Sequence, residues 1–129
     1  MKGIKIEYDS VDPYTTKDGS TVRELIHPDL QGNKKQSLAE ATIPPDFISE
    51  LHRHVKSEEI YYILSGTGRM VLEMEQFEVG PGDSILIPPG TPHQIQNTGT
   101  VPLKILCCCA PAYSHGDTEL MTSLPAQSR

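Results

Sequence analysis

Two histidines and a glutamate lie close together near the middle of the chain, in the order His52, His54 and Glu59. Side chains on a β-strand alternate between its two faces, so His52 and His54 project to one side and Arg53 to the other. A strand that begins again near Glu59 turns this carboxylate toward the same interior and Glu58 away from it. The spacing therefore predicts two imidazoles and one carboxylate on a shared face, which are ligand types that divalent transition metals accept.

A third histidine, His93, follows a Pro-Pro-Gly-Thr-Pro corner and begins another alternating segment, with Ile95 and Asn97 on its side. If His93 joins the first group, the site has three nitrogen donors and one oxygen donor. A lone histidine in a half-buried strand is more often a hydrogen-bonded structural residue, and we interpret His27 and His115 in that way. For the other three histidines, the shared face and the nearby carboxylate favour a metal site.

Short apolar segments broken by turn signals, from about residue 36 to residue 110, must position these side chains. Regular short strands with Gly and Pro corners predict a single all-β domain, either a sandwich or a barrel. We expect residues 1–35 to form N-terminal edge strands and loops, with a strand around 21–26. Residues 36–111 are expected to form the core, and residues 112–129 a C-terminal tail.

Size and charge exclude several classes of function. The chain has 129 residues, the size of one domain, and its net charge of −6 has the wrong sign for attraction to nucleic acid or anionic lipid. No apolar run approaches the ~20 residues that cross a bilayer, and the first ten residues are unlike a signal peptide. The contiguous Cys107, Cys108 and Cys109 offer no loop-closing disulfide framework. We therefore expect a cytoplasmic protein that binds neither nucleic acid nor membranes.

The histidine segments resemble the paired motifs of the cupin superfamily. The first cupin motif has two histidines one residue apart, then a glutamate and a later glycine, as His52, His54, Glu59 and Gly66 do here. The glycine that precedes the first histidine by six residues in the family is Asp46 in this chain. The second motif spaces a glycine, a proline, a glycine, a histidine and an asparagine in a set pattern, which is matched by Gly82, Pro88, Gly90, His93 and Asn97.

This resemblance implies a double-stranded β-helix, the small cupin jelly-roll barrel, with one divalent transition metal held by His52, His54, Glu59 and His93. Mixed nitrogen and oxygen ligands suit Fe, Mn, Ni, Co or Zn, and the sequence does not choose among them. Family members commonly pair through edge strands, which implies a homodimer. The motif glycines are expected at corners that need a positive φ, and Asn97 is expected to stabilise a corner through hydrogen bonds.

Strand alternation also predicts the wall of the pocket beside the metal. Seven residues share the inward faces of the predicted strands: Tyr61, Ile63, Met70, Leu72, Ile95, Cys107 and Cys109. We interpret Tyr61 as a packing residue and the inward cysteines as core residues. Three neutral imidazoles, one carboxylate and a divalent ion sum to one positive charge, which predicts a small anionic ligand.

Two classes of function follow from this site. The leading hypothesis is a metal-dependent enzyme acting on a small anionic metabolite, either an oxidoreductase that activates dioxygen or an isomerase or lyase that uses the metal as a Lewis acid. The alternative is a binding or sensing module that holds metal and ligand without turnover. A second proton-transfer group near the metal would separate the two, and the sequence offers only Tyr61. A barrel with purely structural histidines is disfavoured by the complete ligand set.

Overall fold

Two β-sheets form the framework of the protein in this computed structural model, which describes residues 1–124. The strands are β1 (Tyr14–Thr15), β2 (Thr21–Ile26), β3 (Ser37–Ile43), β4 (His52–His54), β5 (Glu58–Ser65), β6 (Gly68–Leu72), β7 (Glu75–Val79), β8 (Ser84–Ile87), β9 (His93–Asn97), β10 (Leu103–Ala110) and β11 (Thr118–Leu120). A one-turn helix, α1 (Pro28–Gln31), and two 3-10 turns, Tyr8–Ser10 and His115–Asp117, complete the described elements. The all-β prediction is confirmed. Within residues 1–124, no helix is long and apolar enough to cross a membrane.

The chain alternates between the two sheets, so that sheet neighbours are often far apart in sequence. The larger sheet has the order β1-β2-β3-β10-β5-β8, and the smaller has the order β11-β4-β9-β6-β7. The strand pairs are antiparallel. Strands β4 and β5 follow each other in the chain and lie in opposite sheets, which places their inward side chains across the interior from one another.

Alternating burial along the strands builds the interior. In β5, Glu58 is exposed and Glu59 is buried, as the parity of the sequence predicts, and the alternation continues through Tyr61 and Ile63. The most buried apolar side chains come from both sheets and are each at most 1% exposed: Ile43, Ile63, Met70, Ile87, Leu103 and Ile105. They form the apolar core that holds the two sheets together.

The corners of the barrel take the conformations that the motifs predict. Gly66 has a φ of 85°, and a Cβ atom at this position would lie 2.7 Å from the carbonyl oxygen of Pro102. Asp46, which replaces a motif glycine, adopts a left-handed φ of 65°. The Asn97 amide donates to the carbonyl oxygens of Ile43 at 2.9 Å and Val101 at 2.8 Å, so its predicted role at a corner is confirmed.

The two ends of the chain join the sheets. The strand expected around residues 21–26 is β2, but it lies between β1 and β3 and is not an edge strand. Residues 1–13 form no strand. In the C-terminal segment, β11 pairs with β4, the strand that carries the first two histidines. Residues 125–129 of the expected tail lie outside the described residues.

Candidate metal centre

Three histidines of the smaller sheet converge inside the barrel. His52 and His54 lie on β4 and are both buried, and His93 begins β9, where it pairs with His52 across the ladder. The ring centres of His52 and His93 are 4.2 Å apart, and one ligand atom from each of the three rings lies within 4.8 Å of the others. The structure therefore brings together the three imidazoles that sequence spacing singled out.

The hydrogen bonds of the Nδ1 atoms fix the orientation of all three rings. His52 Nδ1 is 2.8 Å from the Glu50 carbonyl oxygen and His93 Nδ1 is 2.9 Å from the Thr91 carbonyl oxygen, so both nitrogens carry the proton. His54 Nδ1 is 3.0 Å from the Thr118 hydroxyl oxygen, whose own proton is donated to the Ser114 carbonyl. Each neutral imidazole consequently presents an Nε2 lone pair to the interior. Metal-binding histidines are held in this way.

Glu59 reaches the same point from the opposite sheet. Its Oε1 atom lies 3.1 Å from His54 Nε2 and 3.4 Å from His93 Nε2. Its Oε2 atom accepts a hydrogen bond from the Cys109 thiol at 3.2 Å, on the neighbouring strand β10. Burial raises the pKa of the Cys109 thiol, which keeps it protonated and able to donate. Cys109 thus orients the carboxylate toward the histidines.

The charges of this cluster depend on one another. Burial lowers the pKa of His52 to about 4, so this ring is neutral near pH 7. Burial also opposes charge on His54, but its contact with Glu59 outweighs burial and raises the pKa of His54. Burial likewise disfavours the charged form of Glu59, yet His54 and His93 hold the pKa of that carboxyl well below its usual range. The site therefore holds an ionised Glu59 carboxylate in contact with His54, whose ring can bind or release a proton.

The donor set fits a divalent cation. His93 Nε2 is fully buried and has no hydrogen-bond partner among the described residues. Lone pairs on three imidazoles and a carboxylate repel one another at these distances unless a proton or a cation lies between them. Two donors that bind one ion at about 2.1 Å and at right angles are roughly 3.0 Å apart, close to the 3.1 Å between His54 Nε2 and Glu59 Oε1. His52, His54, His93 and Glu59 would hold such an ion.

A cavity of about 50 Å³, taken as the space open to the centre of a water molecule, is lined by three of the four donors, His52, His54 and Glu59. Tyr61, Cys107 and Cys109 line this cavity, as the strand parity predicts. The other four residues expected in the wall are not among those that line it: Ile63, Met70, Leu72 and Ile95. Three of these four are at most 2% exposed and belong to the apolar core, and Leu72 packs against it. Ile63, Met70 and Ile95 lie deeper along the barrel than the histidines, whereas Leu72 pairs with His93 across the strands.

Sequence analysis missed two acidic residues of the cavity wall, Asp18 and Glu24. Asp18 lies in the turn between β1 and β2 and looked like an ordinary Asp-Gly turn residue. Glu24 lies on β2, two residues from the buried Val22 and therefore on the same inward face, which is a signal that the sequence did carry. Its Oε2 atom accepts a hydrogen bond from the Tyr14 hydroxyl at 2.7 Å, and its Oε1 atom is buried without a partner among the described residues.

These carboxylates change the charge balance of the site. The predicted excess of one positive charge counted Glu59 alone, whereas Asp18 and Glu24 also line the cavity and no Lys or Arg of the described residues does. Burial raises the pKa of Glu24, against a hydrogen bond from Tyr14 that lowers it. For Asp18, burial is outweighed by His52 and by hydrogen bonds from Ser20 and Thr16, so its pKa is lowered. The wall itself therefore supplies no attraction for an anion.

Comparison with known proteins identifies the family. The model of the cupin domain matches residues 39–109, more than half of the chain. An uncharacterized protein of Methanocaldococcus jannaschii is 60% identical over 121 residues, which cover 94% of this chain and 97% of the relative. The oxalate-binding protein of Thermotoga maritima is 33% identical over 82 residues, or 64% of this chain and 68% of that protein.

A solved structure supports the same assignment. The formate complex of oxalate decarboxylase from Lactobacillus farciminis superposes with a TM-score of 0.75 at 27% sequence identity, over 88% of this chain. This chain spans only about a third of that enzyme, 34% of its length. The jelly-roll architecture predicted from the two histidine motifs is therefore confirmed, and the chain belongs to the cupin family.

Proposed function

We propose that this protein is a metal-dependent enzyme that moves a proton to or from a small carboxylate, in the lyase or isomerase class. One observation carries the proposal: His52, His54 and His93 gather beside Glu59, and a cavity lined by His52, His54 and Glu59 has a second carboxylate, Glu24, in its wall. A bound divalent ion would supply Lewis acidity to an oxygen atom of the substrate. The protein supplies the ligands, the cavity and the proton-transfer group.

Glu24 is the proton-transfer group that the sequence alone did not reveal. Glu24 is among the residues that line the cavity; its Oε2 atom is held by Tyr14, whereas its Oε1 atom is buried without a partner among the described residues. A carboxyl whose pKa is raised by burial stands nearer to neutral pH, where a general acid or base is most effective. Glu24 favours the lyase or isomerase class over dioxygen chemistry, because those reactions need a residue that exchanges a proton with the substrate.

The size of the cavity supports a small substrate. A site for one water takes roughly 10–15 Å³ of the same kind of volume, so about 50 Å³ corresponds to about three to five water-sized groups. A carboxylate with two or three carbon atoms fits this space beside a metal. The names of two similar proteins support a small carboxylate as the ligand, since one is an oxalate-binding protein and the other an oxalate decarboxylase.

An anionic substrate would be attracted by the metal rather than by the wall. Asp18 and Glu24 disfavour negative charge nearby, and the groups on the wall that could donate to a carboxylate oxygen include the Tyr61 hydroxyl and the Cys107 thiol. Burial keeps both protonated, because it raises the pKa of Tyr61 and of Cys107 well above their usual ranges. Binding of a carboxylate should therefore disappear when the metal is removed.

The alternative is a module that binds metal and carboxylate without turnover. The Thermotoga maritima relative, which is named for binding, favours it. The two functions share a binding site and differ in the role of Glu24. In a pure binding module, replacing Glu24 would change affinity at most.

The first experiment compares ligands of equal size and different charge. Oxalate, oxamate and oxamide carry two, one and no negative charges on the same six-atom frame. We expect calorimetry to detect binding of oxalate or oxamate to the metal-loaded protein and binding of neither to the chelator-stripped protein. Binding of oxamide as tight as that of oxamate would refute the proposed preference for a carboxylate.

The second experiment measures proton transfer directly. Pyruvate has the same size, and exchange of its methyl protons for deuterium can be followed by proton NMR in deuterium oxide. We expect the metal-loaded protein to accelerate exchange and Glu24→Gln to slow it by about 100-fold or more. Glu58→Gln, on the exposed outer face of β5, is the matched control and should exchange like the wild type. Binding without any exchange would favour the alternative, whereas exchange that survives Glu24→Gln would refute the role of Glu24 in proton transfer.

We also propose a cytoplasmic homodimer. Ile60, Tyr62 and Leu86 are 46%, 43% and 59% exposed on the outer face of the larger sheet, where Ile60 pairs with Leu86 across the strands. An exposed apolar face of this kind is often an interface between subunits. Light scattering would detect the dimer, and a monomer at micromolar concentration would contradict it.

A further inference from the structure

We propose that Asp18 is a second carboxylate ligand of the metal centre, so that the ion is held by three histidines and two carboxylates. The inference rests on the proposed metal site and extends it by a residue from the turn between β1 and β2. Asp18 Oδ2 lies 3.5 Å from His52 Nε2, much as Glu59 Oε1 lies 3.4 Å from His93 Nε2.

The contact between Asp18 and His52 is unfavourable without a cation or an added proton. The His52 ring donates its Nδ1 proton to the Glu50 carbonyl, so Nε2 presents a lone pair to Oδ2. Two buried acceptors that face each other gain stability from a cation between them, as argued for Glu59.

The turn holds Asp18 in this position through its other oxygen. Oδ1 accepts hydrogen bonds from the Thr16 hydroxyl at 2.6 Å, the Ser20 hydroxyl at 2.6 Å and the Ser20 amide at 3.0 Å. These three bonds satisfy Oδ1 and leave Oδ2 to face His52. The side chain is therefore oriented before any ligand binds, as a metal ligand must be.

The backbone of Glu50 ties this turn to the histidine strand. The Glu50 amide donates to the Asp18 carbonyl at 2.9 Å, and the Glu50 carbonyl accepts the Nδ1 proton of His52. The Lys17 ammonium adds a bond of 2.7 Å to the Thr118 carbonyl on β11. Glu50 thus bonds to both the Asp18 backbone and the His52 ring, which holds the turn beside this histidine.

A second carboxylate gives a divalent centre a net charge of zero. Attraction for a substrate carboxylate then comes from an open coordination position and not from net charge. The N-terminal segment, which the cupin motifs do not include, becomes part of the metal centre.

The test is Asp18→Asn on chelator-stripped protein titrated with Co(II), followed by calorimetry and visible absorption. Asparagine keeps a carbonyl oxygen for the bonds from Thr16 and Ser20, so the variant is expected to fold. We expect Co(II) affinity to fall by about 10- to 100-fold and the absorption bands to change, because the number of donors changes. The control is Asp83→Asn, at an exposed turn where the carboxylate accepts a hydrogen bond from the Gly80 amide, and it should match the wild type.

Each outcome decides between two explanations. Unchanged affinity in Asp18→Asn would overturn the assignment. Reduced affinity with unchanged absorption bands would place Asp18 outside the coordination sphere and also overturn it. Wild-type protein that binds no Co(II) would remove the proposed metal site itself, whereas wild-type binding with an equal Asp18→Asn variant would leave that site standing.

Discussion

The interior of the barrel is polar at one end and apolar at the other, and the same strands build both ends. Strand β5 carries Glu59 and Tyr61 in the cavity wall and Ile63 in the core. Strand β10 carries Cys109 in the cavity wall and Ile105 in the core. The same strands thus carry core side chains at one end and cavity side chains at the other. We expect substitutions at the apolar end to lower mainly the stability of the fold, and substitutions at the polar end to lower mainly the affinity for metal.

The largest effect on folding is expected at the apolar end. Ile63 has no exposed surface, and Ile63→Ala removes buried methyl groups and leaves a void, which should cost about 2–5 kcal/mol in the free energy of unfolding. Urea denaturation with a chelator present measures this cost. The folded variant should bind metal as the wild type does, and a joint loss of metal affinity would show that the two ends are not separable.

The opposite signature is expected at the polar end. His93→Ala removes a donor, so metal affinity should fall by at least about 100-fold, while the metal-free variant stays a folded β-protein with a smaller loss of stability than Ile63→Ala. Circular dichroism and metal titration measure the two effects. His115→Ala is the control, since His115 is exposed and lies outside the cavity wall. Equal metal occupancy in His93→Ala and wild type would refute the ligand assignment.

Metal affinity should also depend on pH through His54. The raised pKa of His54 means that the metal-free site binds a proton there as pH falls, and the metal must displace it. Affinity should therefore be constant above this pKa and fall about tenfold per pH unit below it. His52, whose pKa is lowered to about 4, releases no proton in this range. Titrations from pH 8 to pH 5 test the slope, and a flat profile would argue against displacement of this proton.

The smallest expected effect concerns a corner that serves only the scaffold. Asp46 has a φ of 65°, which glycine adopts without steric cost, so Asp46→Gly should stabilise the protein by about 0.5 kcal/mol. Asp46→Ala keeps the strain and loses the polar side chain, and it should destabilise the protein. Thermal unfolding of both variants measures the difference. Neither should alter metal affinity, and the reverse order of stability would show that Asp46 makes a contact which glycine cannot replace.

Sequence alternation predicted which side chains face inward, but not how deep they lie. Parity distinguished Glu59 from Glu58 correctly, because a strand has only two faces. The same parity placed Ile63 and Ile95 beside the metal, whereas they lie in the core. Depth depends on strand tilt and register between strands, which a period of two residues does not encode.

The two carboxylates that sequence analysis missed illustrate a different limit. Asp18 reaches His52 through a turn whose sequence, Asp-Gly, is common in any β-protein. Nothing local to that turn reveals its partner, since the contact depends on how the N-terminal strands dock. Glu24 could have been found, because an acidic residue on the inward face of an amphipathic strand is unusual and calls for a partner or a function.

The central claim is that the polar end binds one metal ion, and metal analysis of tag-free protein purified without chelators tests it most directly. Plasma mass spectrometry should find about one divalent transition metal ion per chain, and the ion should be lost in His93→Ala. A protein that contains no metal, and takes up none of Fe, Mn, Co, Ni or Zn on reconstitution, would contradict the account and leave the histidines as structural residues.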